Sequence, residues 1–195
     1  SSTSEVYGRN ERVPFREDDD LAVGSPLINR WSYAVSKILD EHYICAMVRE
    51  KGLRAVVLRL FNAVGPRQRP DFGMVLPKFI TAAREDRDLI VYSDGSQKRC
   101  FTWCGDTVEA LCAVVRYPSA IGNVYNVGSS EEISIAELAE KIISRFKGGH
   151  IRFVPEEKRG PGFADMQRRV PDTSRIQSLC GWHPTLNMNQ ILDRM

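Results

Sequence analysis

The sequence predicts an α/β fold, and two observations carry this prediction. Hydrophobic residues recur at helical spacing over residues 31–50, and an apolar, β-branched run over residues 55–61 follows almost at once. Short strand-like runs then alternate with helical patterns along the rest of the chain. A helix that leads into a buried strand is half of a βαβ unit, so we expect a sheet with parallel strands.

The long helix is expected to begin near Ser32, a suitable N-cap, and to end at Gly52. Its apolar residues share one helical face and are Ile38, Leu39, Tyr43, Ala46 and Met47. The elements predicted after residue 61 are a helix over 77–85 opened by Pro77, strands over 89–92 and 99–103 joined as a hairpin by a turn at 93–96, a helix over 106–117, a strand over 123–127, a helix over 134–146 with a Ser134/Glu137 capping box, a strand over 151–154, a polar loop over 156–170, and helices over 173–179 and 187–194.

Composition excludes several classes of protein. The chain has 195 residues, of which 43% are hydrophobic and 27% charged, as is typical of globular proteins. Its net charge of +2 does not favour a nucleic-acid partner, and no apolar run reaches the roughly 18 to 20 residues of a membrane span. Five irregularly spaced cysteines predict reduced, structural thiols in a cytoplasmic protein, and no histidine–cysteine spacing predicts a metal site.

Three features could carry chemistry. Tyr33 and Lys37 lie at i and i+4 on one helix face, where the ammonium can stabilise a tyrosinate that acts as a general base. The hydroxyl-rich segment 2–8 contains Glu5, a possible acid or base. Arginines in predicted loops suit phosphates and carboxylates, and they are Arg67, Arg69, Arg99, Arg159, Arg168 and Arg169. Each feature taken alone is more typical of an ordinary surface role.

Taken together and in order, these segments resemble the extended short-chain dehydrogenase/reductases, in particular the nucleotide-sugar epimerases, dehydratases and decarboxylases. The matching segments are Ser-Thr-Ser-Glu-Val-Tyr-Gly at 2–8, Tyr-x-x-x-Lys at 33–37, Arg-Leu-Phe-Asn-Ala-Val-Gly-Pro-Arg at 59–67, Asp-Gly-Ser-Gln-Lys-Arg-Cys-Phe at 94–101, Asn-Val-Tyr-Asn-Val-Gly at 123–128, Pro-Asp-Thr-Ser-Arg at 171–175 and Gly-Trp-His-Pro at 181–184.

The resemblance implies the C-terminal part of a Rossmann-like doubly wound sheet with a small α/β substrate lobe. Residues 1–65 would complete the Rossmann-like domain, and residues 66–195 would form mainly the nucleotide-sugar lobe, with some segments returning to the first domain. The chain carries no Gly-x-Gly-x-x-Gly turn. We therefore expect the N-terminal dinucleotide-binding half to be absent from this chain, which alone would be inactive, and the intact protein to be a homodimer.

The resemblance also implies catalytic roles. Tyr33 would take the proton of the sugar 4-hydroxyl, Lys37 would bind the nicotinamide ribose of NAD, and Thr3 would hydrogen-bond the 4-oxygen. Glu5 would act as an acid or base, and Arg169 would grip a substrate carboxylate or help to protonate the product.

Substrate-binding residues follow from the same match. Asn62 would contact the sugar-phosphate, and Arg99 would pair with the pyrophosphate. The match also assigns Ser4 to nucleotide-sugar binding. It places Leu76 and Pro77 beside the base and Arg159 near a phosphate.

Three functions stay open at this point. The Thr3-Ser4-Glu5 segment and Arg169 resemble the corresponding motifs of the UDP-glucuronate decarboxylases, and this is the function we favour. A dehydratase is disfavoured, because Ser4 stands where the dehydratases carry Asp. A UDP-sugar 4-epimerase would share nearly all other motifs. A non-catalytic nucleotide-sugar-binding fragment would keep Asn62 and Arg99 without any redox step.

Overall fold

The computed structural model describes residues 1–159 and 166–195, except for the side chains of Phe72 and Arg159. Its strands and α-helices, in chain order, are β1 (Ser2–Thr3), α1 (Arg30–Lys51), β2 (Val57–Leu60), β3 (Ala63–Val64), α2 (Val75–Arg84), β4 (Leu89–Tyr92), β5 (Lys98–Cys100), β6 (Thr102–Trp103), α3 (Cys104–Val114), β7 (Val124–Val127), β8 (Glu132–Ser134), α4 (Ile135–Phe146), β9 (Ile151–Val154), α5 (Ser174–Cys180) and α6 (Met188–Asp193). Short 3-10 helices cover Ser4–Tyr7, Pro70–Phe72, Pro118–Ala120 and Glu156–Arg159.

A three-stranded parallel sheet in the order β1-β2-β7 positions the N-terminal motif. Ser2 pairs with Arg59, and Leu60 pairs with Val127. Helix α1 makes the crossover from β1 to β2, and β7 returns to this sheet after a long excursion. The α/β prediction with parallel strands is therefore confirmed. The proposed division of the chain at residue 65 stays a prediction.

The second part of the chain is built from short paired strands and helices. Strand β4 pairs with β9 in parallel, β5 pairs with β8 antiparallel, and β3 pairs with β6. One apolar core lies among β4, α2, α4 and α6, and a second lies among β2, β7, α3 and α5. The predicted capping box of α4 is present, since the Ser134 hydroxyl accepts from the Glu137 amide and the Glu137 carboxylate accepts from the Ser134 amide.

The predicted hairpin over residues 89–103 is wrong. The turn at 93–96 forms, but the segment 95–97 bonds to the start of α4. The Gly95 carbonyl accepts from the Ala136 amide, and the Gln97 carbonyl accepts from the Ile135 amide. This diverts the chain away from β4, and β5 pairs instead with the three-residue strand β8. Strand β8 is too short to show a periodicity in sequence.

Two helix starts also differ from prediction. Helix α1 begins at Arg30 with Asn29 as N-cap, so Ser32 lies inside the helix and donates to the Asn29 carbonyl. Helix α2 begins at Val75, which places Pro77 at its third position. There the missing amide hydrogen matters little, because first-turn amides have no acceptor within the helix.

The structure also bears on the cysteines, on membrane spans and on metal sites. All five cysteines are free thiols. Burial raises the pKa of the Cys100 thiol to about 12, so it is an unreactive core residue. No helix of the described residues is long and apolar enough to cross a membrane. Within residues 1–159 and 166–195 there is no cluster of His, Cys, Asp and Glu that could hold a metal ion.

Candidate active site

The segment after β1 turns sharply and presents Glu5. Thr3 is the N-cap of the 3-10 helix Ser4–Tyr7, and its Oγ1 accepts from the Glu5 amide at 3.3 Å. Ser4, Val6 and Tyr7 are buried, whereas Glu5 is half-buried. The turn thus fixes the Glu5 side chain at the edge of the parallel sheet, beside the carboxyl end of β1.

Two arginines from distant parts of the chain clamp this carboxylate. Arg169 Nη2 lies 2.7 Å from Glu5 Oε1, and Arg30 Nη2 lies 3.1 Å from Glu5 Oε2. Arg169 Nη1 is also 3.4 Å from the Ser4 hydroxyl. We call Ser4, Glu5, Arg30 and Arg169 the cavity cluster. The pairing of Glu5 with Arg169 joins two residues that the sequence motifs assign to the same reaction.

One donor of Arg169 has no partner among the described residues. Its side chain is 6% exposed, and its Nε is buried with no hydrogen-bond partner among the residues that the structure describes. An unpaired buried donor is unfavourable unless a partner arrives. Arg169 is also one of the residues that line a cavity.

The cavity has a volume of about 530 Å³ and an excess of positive charge. Its charged side chains are Glu5, Arg30, Lys78, Arg99 and Arg169. Four cations against one carboxylate suit an anionic ligand such as a sugar diphosphate. Its wall also includes Phe79, Tyr92 and Phe101, which supply apolar area for a flat ring.

Asn62 and Arg99 line this same cavity, as their predicted roles require. Asn62 has a positive φ of 36° and its Nδ2 donates to the Cys100 carbonyl at 2.7 Å, which ties the end of β2 to β5. Arg99 Nη1 donates to the Lys98 carbonyl at 2.7 Å. These contacts hold both residues at the cavity wall.

Leu76 and Pro77 lie elsewhere. Both are buried in helix α2, and Leu76 belongs to the apolar core. The residues of α2 that line the cavity are Val75, Lys78 and Phe79. The proposed contact of Leu76 and Pro77 with a base therefore has no support from the cavity wall. The predicted Arg159 contact lies outside the described side chains.

Tyr33 and Lys37 lie on α1, within the first two turns. The Lys37 Nζ donates to the Ser1 carbonyl at 3.3 Å and to Asp40 Oδ2 at 3.1 Å. Tyr33 is 52% exposed and does not line the cavity described above. The structure thus places Lys37 against β1, while the Tyr33 phenol remains open to solvent.

Arg30 is a site residue that sequence reasoning missed. It precedes Tyr33 by three positions and therefore projects from the same first turn of α1. A cation at a helix N-terminus opposes the helix dipole, which favours negative charge there. The sequence prediction could not use this signal, because it placed the start of the helix near Ser32 and so left Arg30 outside the helix.

A second glutamate–arginine pair, also missed, lies under α1. Arg59 Nη2 donates to Glu41 Oε2 at 2.7 Å, Ser2 Oγ donates to Glu41 Oε1 at 2.5 Å, and Arg59 Nη1 donates to the Tyr7 hydroxyl at 2.9 Å. The Tyr7 hydroxyl in turn donates to Asn126 Oδ1. We call Ser2, Tyr7, Glu41, Arg59 and Asn126 the buried network. Burial raises the pKa of Tyr7 to about 12.

Comparison with known proteins decides the family. The profile of the family described as GDP-mannose 4,6 dehydratase matches residues 1–195. The chain belongs to this family. The predicted resemblance to nucleotide-sugar epimerases and dehydratases of the extended short-chain dehydrogenase/reductase type is thereby confirmed.

Two relatives that match nearly the whole chain are decarboxylases of UDP-sugars. A UDP-N-acetyl-alpha-D-glucosaminuronate decarboxylase from Bacillus cytotoxicus is 40% identical over 193 residues, which cover 97% of this chain and 59% of that protein. UDP-glucuronic acid decarboxylase 1 from Danio rerio is 35% identical over 195 residues, covering 100% of this chain and 45% of that protein.

A solved structure gives the same fold. The UDP-glucuronic acid 4-epimerase from Bacillus cereus, in complex with UDP-glucuronic acid and NAD, superimposes with a TM-score of 0.85 at 29% identity. The match covers 99% of this chain and 58% of the epimerase chain. The chain thus spans about half of the length of the relatives that it matches, and the Rossmann-like fold class is confirmed.

Proposed function

We propose that the protein is an NAD-dependent enzyme that modifies a UDP-sugar through a transient 4-keto sugar, and specifically that it decarboxylates a UDP-hexuronate such as UDP-glucuronate. The cavity cluster carries this proposal. It places a buried guanidinium and the glutamate paired with it on the wall of a positively charged cavity. The decarboxylase relatives from Bacillus cytotoxicus and Danio rerio support it.

Two donors on α1, beside β1, suit the nicotinamide ribose of NAD. The Tyr33 phenol and the Lys37 ammonium lie on one helix face beside β1, and donors of this kind suit ribose hydroxyls. No Gly-x-Gly-x-x-Gly turn in the 195 residues offers a site for the pyrophosphate. NAD would supply the hydride acceptor for C4 of the sugar and, where UDP-xylose is the product, the hydride that reduces the 4-ketone again.

The chain's own residues would move protons and hold the carboxylate. Tyr33 removes the proton of the 4-hydroxyl, and Thr3 hydrogen-bonds the 4-oxygen as it becomes a carbonyl. The 4-ketone makes the substrate a β-keto acid: the bond from C5 to the carboxyl carbon breaks, carbon dioxide leaves, and the electron pair passes into an enolate. Arg169 would orient the carboxylate, and Glu5 would orient a water molecule that gives its proton to C5.

The 4-epimerase is the second candidate, because the Bacillus cereus epimerase matches 99% of this chain. It needs the same Tyr33, Lys37 and Thr3, but it must keep the carboxylate. The third interpretation, a binding fragment without catalysis, predicts affinity for a UDP-sugar without any turnover.

Incubation of the full-length protein with NAD and UDP-glucuronate, followed by proton NMR, tests the proposal. We expect UDP-xylose or a UDP-4-keto-pentose. UDP-galacturonate would identify an epimerase, and an unchanged substrate would contradict both enzymatic candidates for this sugar. The Tyr33→Phe variant is the matched control: we expect it to abolish turnover and to retain substrate binding.

The homodimer and the cytoplasmic location also remain proposals. Helix α1 exposes an apolar stripe at i, i+4, i+8 and i+12, formed by Val35, Leu39, Tyr43 and Met47. Burial of this stripe against a second copy would remove it from water. Sedimentation of the full-length protein distinguishes a dimer from a monomer.

A further inference from the structure

Helix α1 carries the Tyr33–Lys37 pair but buries few of its own side chains. In this helix of 22 residues, the buried ones are Trp31, Ala34 and Glu41. Apolar contacts are non-directional, so they only loosely fix how far a helix is shifted along its axis and how it is rotated about that axis. The buried residue near the middle of α1 is a carboxylate, whose hydrogen bonds are directional.

The Glu41 carboxylate is held by both strands below it. From β2, Arg59 donates through Nε to Oε1 at 3.0 Å and through Nη2 to Oε2 at 2.7 Å. From β1, Ser2 donates its hydroxyl to Oε1 at 2.5 Å. The side chains of Glu41 and Arg59 are 6% and 5% exposed. A fork of this kind, closed by a third donor, accepts one geometry.

The same helix face carries the residues assigned to catalysis. Tyr33, Lys37 and Glu41 lie at i, i+4 and i+8, one turn apart. Lys37 reaches the Ser1 carbonyl, and Glu41 reaches the side chain of Ser2, which directly precedes Thr3 in β1. The Glu41 contact therefore sets where the Lys37 turn lies against the strand that presents Thr3.

We propose that the Glu41–Arg59 pair, with Ser2, positions α1 in register with β1 and β2 so that Tyr33 and Lys37 meet Thr3 in the geometry that the reaction needs. They are positioning residues, and this role rests on the proposed function. A buried ion pair often contributes no more stability than apolar side chains of the same size, but such pairs can specify register. That distinction makes the proposal testable.

The decisive variant is Glu41→Met/Arg59→Met in the full-length protein with NAD. Apolar replacement of both partners leaves neither member of the ion pair buried alone, so we expect the variant to fold. Its melting temperature should fall modestly, because the Tyr7 hydroxyl and the Glu17 carbonyl each lose a hydrogen bond from Arg59. We expect kcat to fall about 10- to 100-fold, since small misplacements of reacting groups have effects of this size. The KM for the UDP-sugar stays the same, because the cavity cluster is untouched. The isotope effect with sugar deuterated at C4 rises as hydride transfer becomes slower.

Ser2→Ala is the second variant, and it retains the ion pair and hence the fold. It removes the hydrogen bond from β1 to Glu41, and we expect a smaller fall in kcat of about 3- to 10-fold at unchanged KM. The matched control is Arg145→Met/Asp193→Met, which replaces an exposed pair 2.9 Å apart on α4 and α6. This control is expected to leave kcat unchanged.

A folded double variant with unchanged kcat and isotope effect overturns the proposal. Loss of both melting temperature and activity in Ser2→Ala also overturns it, since that result indicates a purely structural role. If the unmodified protein converts no UDP-sugar, the proposed function fails by itself. A crystal structure of the double variant then decides the positioning: a displaced α1 that has lost the Lys37–Ser1 contact supports it, and an unmoved α1 contradicts it.

Discussion

Two glutamate–arginine sites within one protein have the same side-chain chemistry and different surroundings. In the buried network, Glu41 and Arg59 are almost fully enclosed, and every contact runs to another element of the fold. In the cavity cluster, Glu5 is 21% exposed, and Arg169 retains a buried donor that no described residue satisfies. A saturated pair can only hold structure, whereas an unsaturated pair beside a cavity can bind a ligand.

The difference comes from where the chain brings the charges. Arg59 lies in the middle of the parallel sheet, under a helix, so its guanidinium meets α1 on one side and Tyr7 on the other. Arg169 lies in the segment before α5 and reaches across to the 3-10 helix at the edge of the sheet. Edges of parallel sheets, at the carboxyl ends of their strands, are where α/β proteins bind ligands.

The largest contrast is expected in stability. Glu41→Ala leaves the Arg59 guanidinium buried without its carboxylate, and we expect the free energy of unfolding to fall by about 3 to 5 kcal/mol. Glu5→Ala should lower it less, by about 1 to 3 kcal/mol, because Glu5 and Arg30 border the cavity and water can solvate Arg30, although the buried Arg169 loses its carboxylate partner. Urea unfolding of both variants measures the difference, and equal losses would contradict the distinction drawn between the two sites.

The second contrast is in activity. Arg169→Gln removes the guanidinium that faces the cavity, and we expect kcat/KM for UDP-glucuronate to fall about 100-fold, equivalent to about 2.7 kcal/mol. The neighbouring Arg168→Gln is the matched control. Arg168 is half exposed and pairs with Glu132 at 2.6 Å, so its loss should leave kcat/KM nearly unchanged. Equal effects of the two substitutions would remove Arg169 from the site.

The smallest contrast is a dependence on pH within the buried network. Burial raises the pKa of Tyr7 from 10.0 to about 12, so above pH 10 the unfolded chain loses this proton before the folded chain does. Stability contributed by the neutral phenol is therefore complete below pH 10 and declines as the pH rises to 12. We expect a loss of about 2 kcal/mol from this group.

Urea unfolding between pH 9 and 12, compared with Tyr7→Phe, measures that slope. Tyr7→Phe should be less stable at pH 9, since it loses the bonds to Asn126 and Arg59, and its stability should fall less steeply with pH. Tyr43→Phe removes an exposed phenol and serves as the control. If stability falls equally steeply with pH in Tyr7→Phe and in Tyr43→Phe, then the Tyr7 phenol has the same pKa in the folded and the unfolded chain.

Most elements were predictable because their signals are local. The helical pattern over 134–146 predicted α4, the Ser134/Glu137 spacing predicted its capping box, and the apolar run over 55–61 predicted β2. The hairpin failed because the partners of β4 and β5 lie far away in sequence, at residues 151–154 and 132–134. Strand β8 has three residues, which is too few for a periodicity to show.

The candidate site divides in the same way. The motifs around Thr3, Tyr33 and Arg169 were readable as segments, and the match of residues 1–195 to the family bears out their common origin. The contact between Glu5 and Arg169 was not readable from spacing, since 164 positions separate them and the chain passes through both apolar cores in between. The role of Arg30 became visible only when its partner Glu5 was known.

By itself, the sequence determined the helices and strands with strong periodicity, the α/β class and the family of the protein. Only the tertiary structure decided which charges are enclosed and which face a cavity. Glu5 and Glu41 are the same residue type, and each is followed along the chain by arginines. Whether a carboxylate binds a ligand or holds a helix depends on which side chains surround it, and burial brings those neighbours from distant parts of the chain.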